Sequence, residues 1–203
     1  MQQIRFKKIN KKLNFSQSKK IVLILKLENK TSILANLSNA NIDKYLQEVI
    51  KSENLELFVI IQKNVIGYAI LAKKPKFLID NFEKFKFNFF FDLLFSLKFI
   101  SIFNIVISKF KFDSMMISRF NKQIVSNSLN LNLLAIEKDH QSKGLGEKFL
   151  KYIFKNSKFK SKYIVCETDN IRSNSFYKKK LNFKSIGKKV RFPKFMDVLA
   201  KRL

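Results

Sequence analysis

The chain has 203 residues, 46% of them hydrophobic, which suits one domain with a sizeable core and excludes general disorder. Its 41 basic and 15 acidic residues give a net charge of +26, which attracts polyanions. The single cysteine, Cys166, excludes an internal disulfide framework and indicates a reducing compartment. We therefore expect a cytoplasmic protein, with or without peripheral contact to the inner face of a membrane.

The basic residues are mostly lysine and are scattered, with no block of five or six. Lysine, asparagine, isoleucine and phenylalanine all have A/T-rich codons, and all four are abundant here. Codon bias therefore explains the charge better than a nucleic-acid-binding tail does. We expect no specific nucleic-acid partner and no metal site.

The first predicted elements lie in the N-terminal half of the chain. The apolar run Ile21 to Leu27 contains Lys26 and has no small-residue cleavage site, so we do not interpret it as a signal peptide. Residues 40–51 have helical spacing, and the β-rich runs 55–61 and 65–71 flank a short polar break that predicts a hairpin.

A phenylalanine-rich segment follows, from Asn81 to Lys111. Its polar residues recur every three or four positions, which predicts a narrow polar stripe on one helix, or on two helices that meet near Lys98. Asp92, Lys98 and Asn104 in its interior argue against a transmembrane helix. Two interpretations stay open: the segment packs on the domain core or on a second subunit, forming a homodimer, or it lies in the face of an anionic membrane.

The C-terminal half alternates between strand and helix patterns. This order favours an α/β layer around a mixed sheet. The predicted elements are a strand at 129–136, a helix at 145–154, a strand at 162–168, a short helix at 171–180, and strands at 184–190 and 195–203.

Two of the four glycines, Gly144 and Gly146, lie between the predicted strand 129–136 and the predicted helix 145–154. A turn that opens a helix presents backbone N–H groups to an anion, most often a phosphate. Phe149 stands where a dinucleotide-binding motif needs a third glycine, and no Walker lysine follows. The pair therefore predicts a phosphate-binding turn of another type.

The stretch LAIEKDHQSKGLG, residues 134–146, resembles the acetyl-CoA-binding motif of the GCN5-related N-acetyltransferases (GNATs), with Gln141, Gly144 and Gly146 at the motif positions. Further on, the chain also resembles the family pattern Asn-x-x-Ala-x-x-Phe-Tyr followed by Gly-Phe. There the matching residues are Asn170, Ser173, Phe176, Tyr177, Asn182 and Phe183. Serine replaces alanine at 173, and Asn182 replaces glycine one residue late, although asparagine tolerates the positive φ of a helix end.

The resemblance implies one domain over residues 1–203. Its fold would be a mixed, mostly antiparallel sheet flanked by helices, with an apolar helical insertion at about 76–125, between the third and fourth strands. It also implies an N-acetyltransferase that moves the acetyl group directly from acetyl-CoA to an acceptor amine, such as an amino sugar or another phosphorylated small molecule.

The resemblance further implies which residues bind acetyl-CoA. The backbone of Leu134, Ala135 and Ile136 would pair with the pantetheine arm, and one N–H group would polarise the thioester carbonyl. The pyrophosphate turn and the start of the following helix would supply Gln141, Ser142, Lys143, Gly144, Leu145 and Gly146. In the second motif, Asn170 would hydrogen-bond the pantetheine arm, cap its helix, or do both, and Ser173 would also contact CoA.

Catalytic roles are implied for a few side chains. Tyr177 either donates a proton to the departing thiolate or only packs against CoA. Glu137 and Glu167 are candidate bases, with Glu137 favoured here, and each is otherwise a solvated or structural carboxylate. His140 is expected at the surface, and Cys166 is expected to be a buried thiol rather than a nucleophile.

Two functions from other classes compete with the enzyme. One is a basic nucleic-acid-binding protein, and the other is a membrane-surface protein that retains a non-catalytic CoA-type fold. Binding of acetyl-CoA would discriminate the enzyme from the first rival, and transfer to an amine would discriminate it from the second.

Overall fold

A computed structural model of the chain describes residues 3–30, 32–77, 86–95, 98–109 and 116–203. Seven strands form one mixed sheet in the order β1–β2–β3–β4–β5–β7–β6, and every neighbouring pair is antiparallel except β4 and β5. The strands are β1 (Arg5–Ile9), β2 (Leu55–Ile61), β3 (Val65–Ala72), β4 (Leu129–Ile136), β5 (Tyr163–Thr168), β6 (Lys184–Arg191) and β7 (Lys194–Arg202).

Helices cover both faces of this sheet. They are α1 (Phe15–Glu28), α2 (Asn39–Lys51), α3 (Lys86–Phe95), α4 (Phe99–Lys109), α5 (Arg119–Asn127), α6 (Leu145–Asn156) and α7 (Ile171–Ser175), with a π-helical turn (Phe176–Lys180) after α7. None of the described helices combines the length and hydrophobicity needed to cross a bilayer.

The predicted fold class is confirmed, because a mostly antiparallel sheet is flanked by helices. Six of the strands follow the sequence pattern closely, and β2 and β4 begin and end at the predicted residues. The phenylalanine-rich segment forms two helices that meet at Lys98, as one of the two predictions had it. Its residues 81–85, 96–97 and 110–111 lie outside the described part of the chain.

The core has two main layers, one on each face of the sheet. On one face, α1 and α2 pack with Phe89, Leu93, Leu133 and Ala135. On the other face, α6 packs with Leu129 and Leu131 and with residues that follow α7. The strand β4 contributes to both layers, and this double role positions the functional site.

A β-bulge in β4 changes which face its side chains point to. Leu131 pairs with Leu71, and Leu133 pairs with the preceding residue of β3, so Asn132 is the extra residue. Before the bulge the odd-numbered residues face α6, whereas after it Leu134 and Ile136 do. No residue type in the sequence marks this shift, and sequence analysis missed it.

Candidate functional site

The strands β4 and β5 separate partway along their length. Among the described residues they pair at three positions, the last being Leu131 with Cys166, although β4 continues to Ile136. The sheet therefore opens into a V between the two strands. A second extended chain can enter this V and pair with the free edge of β4.

The backbone of β4 presents its hydrogen-bonding groups to that V. The N–H of Glu137 donates to the carbonyl of Ile66 in β3 at 2.8 Å. Because backbone groups alternate between the two edges of a strand, those of Leu134 and Ile136 point the other way, into the V. The alternation therefore supplies free groups at Leu134 and Ile136, two of the three residues that the resemblance names, whereas those of Ala135 face β3.

The turn after β4 contains two residues with positive φ. Ser142 has φ 62° and Gly144 has φ 73°, and Gly144 is the N-cap of α6. In the described part of the chain no side chain caps this helix, so its first N–H groups stay open to an anion. An added Cβ at Gly144 would meet no described atom within 4 Å, which leaves space beside those donors.

The two glycines have different physical roles. Gly144 takes the left-handed conformation, which glycine adopts without strain. An added Cβ at Gly146 would lie 3.1 Å from Cζ of Phe176, so Gly146 allows α6 to pack closely on the residues after α7. Only Gly144 borders the open space at the helix N-terminus.

Gln141 stabilises the turn through two hydrogen bonds. Its Nε2 donates to the carbonyl of Ile136 at 2.7 Å and to Oε2 of Glu28 at 2.8 Å. The side chain thereby ties the turn to the end of β4 and to α1. Gln141 thus positions the turn, and its side chain is not free for a phosphate in this structure.

Comparison with solved structures gives many matches over the full length of the chain. An acetyltransferase from Thermus thermophilus superposes with a TM-score of 0.59 at 10% identity, covering 100% of both chains. Polyamine N-acetyltransferase of Drosophila melanogaster gives 0.58 at 9% identity, covering 99% of this chain and 100% of its own. NAA60 of Arabidopsis thaliana, solved in complex with acetyl-CoA, gives 0.56 at 10% identity, covering 99% of each chain.

The chain has the GNAT fold. At these identities the likeness establishes the fold and nothing finer. No protein-family model matches the sequence, and no curated protein matches it. The roles of the residues in this GNAT fold therefore rest on the local geometry.

Tyr177 lies where the V of the GNAT fold begins. It is buried, its ring lies 5.2 Å from that of Phe183, and it interacts electrostatically with Cys166, the residue at the last β4–β5 pair. Burial, together with the neighbouring Cys166, raises the pKa of Tyr177 well above its ordinary value. The hydroxyl therefore stays protonated and is a reluctant proton donor.

The two candidate bases differ in their partners. Glu167 pairs with Lys189 at 2.7 Å and with Arg191 at 3.6 Å. Burial alone would raise the pKa of Glu167, but these two cations outweigh it and lower the pKa below its ordinary value. A lowered pKa makes Glu167 a weaker base. Glu137 follows the far end of β4, away from the last β4–β5 pair, and forms one ion pair with Lys20 at 2.8 Å.

Asn170 is the N-cap of α7. Its Oδ1 accepts from the N–H groups of Arg172 at 2.8 Å and Ser173 at 3.2 Å. The Arg172 guanidinium in turn donates to the hydroxyl of Ser142, which links α7 to the phosphate-binding turn. This arginine adds a positive charge beside the turn, and sequence analysis did not single it out.

The end of this helical segment explains one departure from the family pattern, the late Asn182 in place of glycine. A π-helical turn, Phe176–Lys180, holds one more residue than an α-helical turn, which absorbs the extra residue after Tyr177. Asn182 has φ 57°, so the expected positive φ at the helix end is confirmed.

The remaining predicted residues occupy structural positions. The Lys143 ammonium donates to the carbonyl of Asp139 at 2.7 Å, and Leu145 is buried against α6 neighbours. His140 is partly exposed in a short 3₁₀ helix. Cys166 is buried, and burial raises the pKa of its thiol, which suits an inert core residue.

Proposed function

We propose that this protein is an acetyl-CoA-dependent N-acetyltransferase that moves the acetyl group directly to an acceptor amine. One observation carries the proposal. The open V beside β4 leads into the uncapped N-terminus of α6, where Gly144 leaves space for a pyrophosphate. In acetyl-CoA the pantetheine arm, which can pair with a strand, is joined to a pyrophosphate. The molecule therefore needs an open strand edge followed by an anion-binding site.

In this proposal Leu134 and Ile136 bind the pantetheine arm through their backbone, while the backbone of Ala135 between them faces β3. Residues 142–146 hold the pyrophosphate. Gln141, Asn170 and Ser173 keep the turn and α7 in position. The bulge at Asn132 frees backbone groups near the last β4–β5 pair, where a free N–H can polarise the thioester carbonyl.

The proposed reaction needs one base and one acid. Acetyl-CoA supplies an activated acetyl group, and the amine nitrogen forms a bond to its carbonyl carbon while the carbon–sulfur bond breaks. Glu137 lies five residues beyond the bulge, about 16 Å along the strand, so in this proposal it takes the proton that the amine loses through a chain of water molecules. Tyr177 gives a proton to the departing sulfur, and its raised pKa makes it the donor whose role most needs a test.

We propose that the acceptor amine belongs to an anionic molecule, such as a phosphorylated amino sugar. A net charge of +26 attracts such an acceptor and repels a polycation. The named polyamine N-acetyltransferase among the similar structures acts on the opposite charge class. We therefore expect this chain to differ from that polyamine N-acetyltransferase in the charge of its acceptor.

A thiol-release screen with acetyl-CoA tests both parts. The panel contains phosphorylated amino sugars, their unphosphorylated forms and polyamines at matched concentrations. We expect release above hydrolysis with at least one amine and a preference for the phosphorylated form. Equal rates for phosphorylated and unphosphorylated amines would contradict the acceptor class alone, whereas no release with any amine would contradict N-acetyl transfer.

A further inference from the structure

The helices α3 and α4 expose large apolar side chains to solvent. Soluble proteins rarely expose a contiguous apolar patch of this kind unless it binds something. Within α3, the rings of Phe90, Phe91 and Phe95 are in contact, with centroids 6.0 and 6.2 Å apart for successive pairs. We define the aromatic face as Phe90, Phe91, Phe95, Phe99, Ile100 and Phe103, which are 44–82% exposed.

Hydrogen bonds fix the orientation of α3. Oδ2 of Asp92 accepts from the N–H of Ser38 at 2.6 Å and from Nδ2 of Asn41 at 2.8 Å, at the N-terminus of α2. Phe89 and Leu93, next to this contact, are fully buried. Turning the exposed phenylalanines inward would break these bonds and remove the two buried side chains from the core.

The helix α4 is held in the same way. Oγ of Ser101 accepts from Nδ2 of Asn36 at 3.0 Å, and Nδ2 of Asn104 donates to the carbonyl of Phe192 at 2.9 Å. Ser101 and Asn104 are both buried. Among the described residues of the predicted polar stripe, Asp92, Ser101 and Asn104 therefore point into the protein, whereas Asn88 is exposed. The large apolar side chains defined above lie on the outer surface.

Basic side chains border the aromatic face. Lys98, between the two helices, is exposed. The ring of Phe103 contacts that of Phe192 at 5.7 Å, and Phe192 is half exposed in the β6–β7 turn. Lys194 follows this turn; its side chain is 60% exposed, and its Nζ lies 3.7 Å from Oδ2 of Asp169. Arg191 precedes the turn but is less exposed and pairs with Glu167. Exposed aromatic rings thus lie beside cations on one surface.

We propose that the aromatic face and the β6–β7 turn together dock on an anionic lipid surface. Phenylalanines enter the boundary between headgroups and acyl chains, to a depth of roughly 5–10 Å, while lysines at the edge contact the headgroups. The proposal concerns lipid binding alone and does not require acetyl transfer.

Charge favours lipid over a second copy of the chain. A homodimer through this face would bring together two chains of net charge +26, with Lys98 and Lys194 at the edge of the contact. An anionic bilayer instead turns the same charge into attraction, since each lysine or arginine near the surface adds to binding. The charge of this surface therefore complements that of an anionic lipid surface and repels a second copy of the chain.

Flotation of the full chain with vesicles tests the proposal. One set contains phosphatidylglycerol and phosphatidylcholine, and the other contains phosphatidylcholine alone. The parent protein is expected to float with the anionic vesicles and much less with the neutral ones. The variant Phe95→Asp/Phe99→Asp, which changes two exposed side chains, should lower the partition coefficient about a hundredfold or more.

A matched control separates lost contact from added charge. Phe15→Asp/Phe120→Asp changes the net charge by the same amount at two exposed phenylalanines on α1 and α5, and it should float like the parent. Three results would overturn the proposal: a parent that stays in the dense fraction, a Phe95→Asp/Phe99→Asp variant that floats as well as its control, or a parent dimer that this variant converts to monomer in light scattering without lipid.

Discussion

Replacing Gly144 tests the phosphate-binding turn most sharply. Gly144 has φ 73°, and a Cβ there would meet no described atom within 4 Å. Gly144→Val therefore has two separable effects: strain from the left-handed backbone, about 1–2 kcal/mol, and occupation of the space beside the first N–H groups of α6. For a chain of this length the strain alone should lower Tm by roughly 2–8 °C.

Acetyl-CoA binding gives a second, larger signal. A ligand at about 100 times its Kd stabilises the folded state by about 2.7 kcal/mol, which corresponds to a rise in Tm of roughly 5–11 °C. The parent protein should show this rise in differential scanning fluorimetry. Gly144→Val should show little or none, because the side chain excludes the pyrophosphate.

A matched variant separates strain from occlusion. Asparagine tolerates the left-handed conformation better than valine does, so Gly144→Asn should keep a Tm near that of the parent. Its side chain still fills the same space, and the rise with acetyl-CoA should again be small. If both variants keep the full rise, the pyrophosphate does not lie at this turn and the reasoning fails.

Three further predictions follow from the same geometry. Tyr177→Phe should keep the rise in Tm with acetyl-CoA but lower kcat about 10²–10⁴-fold, and an unchanged kcat with chemistry rate-limiting would reduce Tyr177 to packing. Glu137→Gln should lower kcat/KM more than Glu167→Gln does at pH 7, and the reverse order in steady-state kinetics would move the base to Glu167. Burial favours a higher pKa for Asp92, but the hydrogen bonds from Ser38 and Asn41 and the charge of Lys26 outweigh burial and lower the pKa below its ordinary value. Its contribution to the free energy of unfolding is therefore present above its unfolded pKa of about 3.9 and is lost as pH falls through the lower folded value. Urea unfolding between pH 2 and 6 should show a shallower acid slope in Asp92→Asn, and an identical slope would show that Asp92 is not held by those bonds.

Strong burial is the reason that much of the sheet could be predicted. The runs in β2 and β3 are buried along nearly their whole length, so their sequences are almost entirely apolar. The position of the turn before α6 was also predictable, because Gly144 takes a positive φ and glycine does so without strain. The phosphate-binding role of this turn stays a prediction.

The N-terminal elements were missed for a physical reason. In β1, an edge strand, exposed Arg5 and Lys7 alternate with less exposed residues, and this short pattern is easily taken for a charged tail. The helix α1 contains the run Ile21 to Leu27, for which sequence analysis excluded a signal peptide without predicting a helix. Its capping box, Asn14 with Gln17, was visible in the sequence and could have marked the helix start.

Other features depend on tertiary contacts that no local pattern encodes. The bulge at Asn132 arises from pairing with β3. The inward direction of Asp92 and Asn104 depends on partners far along the chain, Ser38 for Asp92 and Phe192 for Asn104. The division of the chain into one domain with an insertion at about 76–125 stays a prediction.

The central claim is direct transfer of an acetyl group to an amine. The most direct measurement compares thiol released with N-acetylated amine formed, using isotopically labelled acetyl-CoA and mass spectrometry of the acceptor. We expect equal amounts of the two products, and both should be lost in Gly144→Val. Thiol release without labelled N-acetyl product, or bound acetyl-CoA with no transfer to any amine in the panel, would contradict the claim.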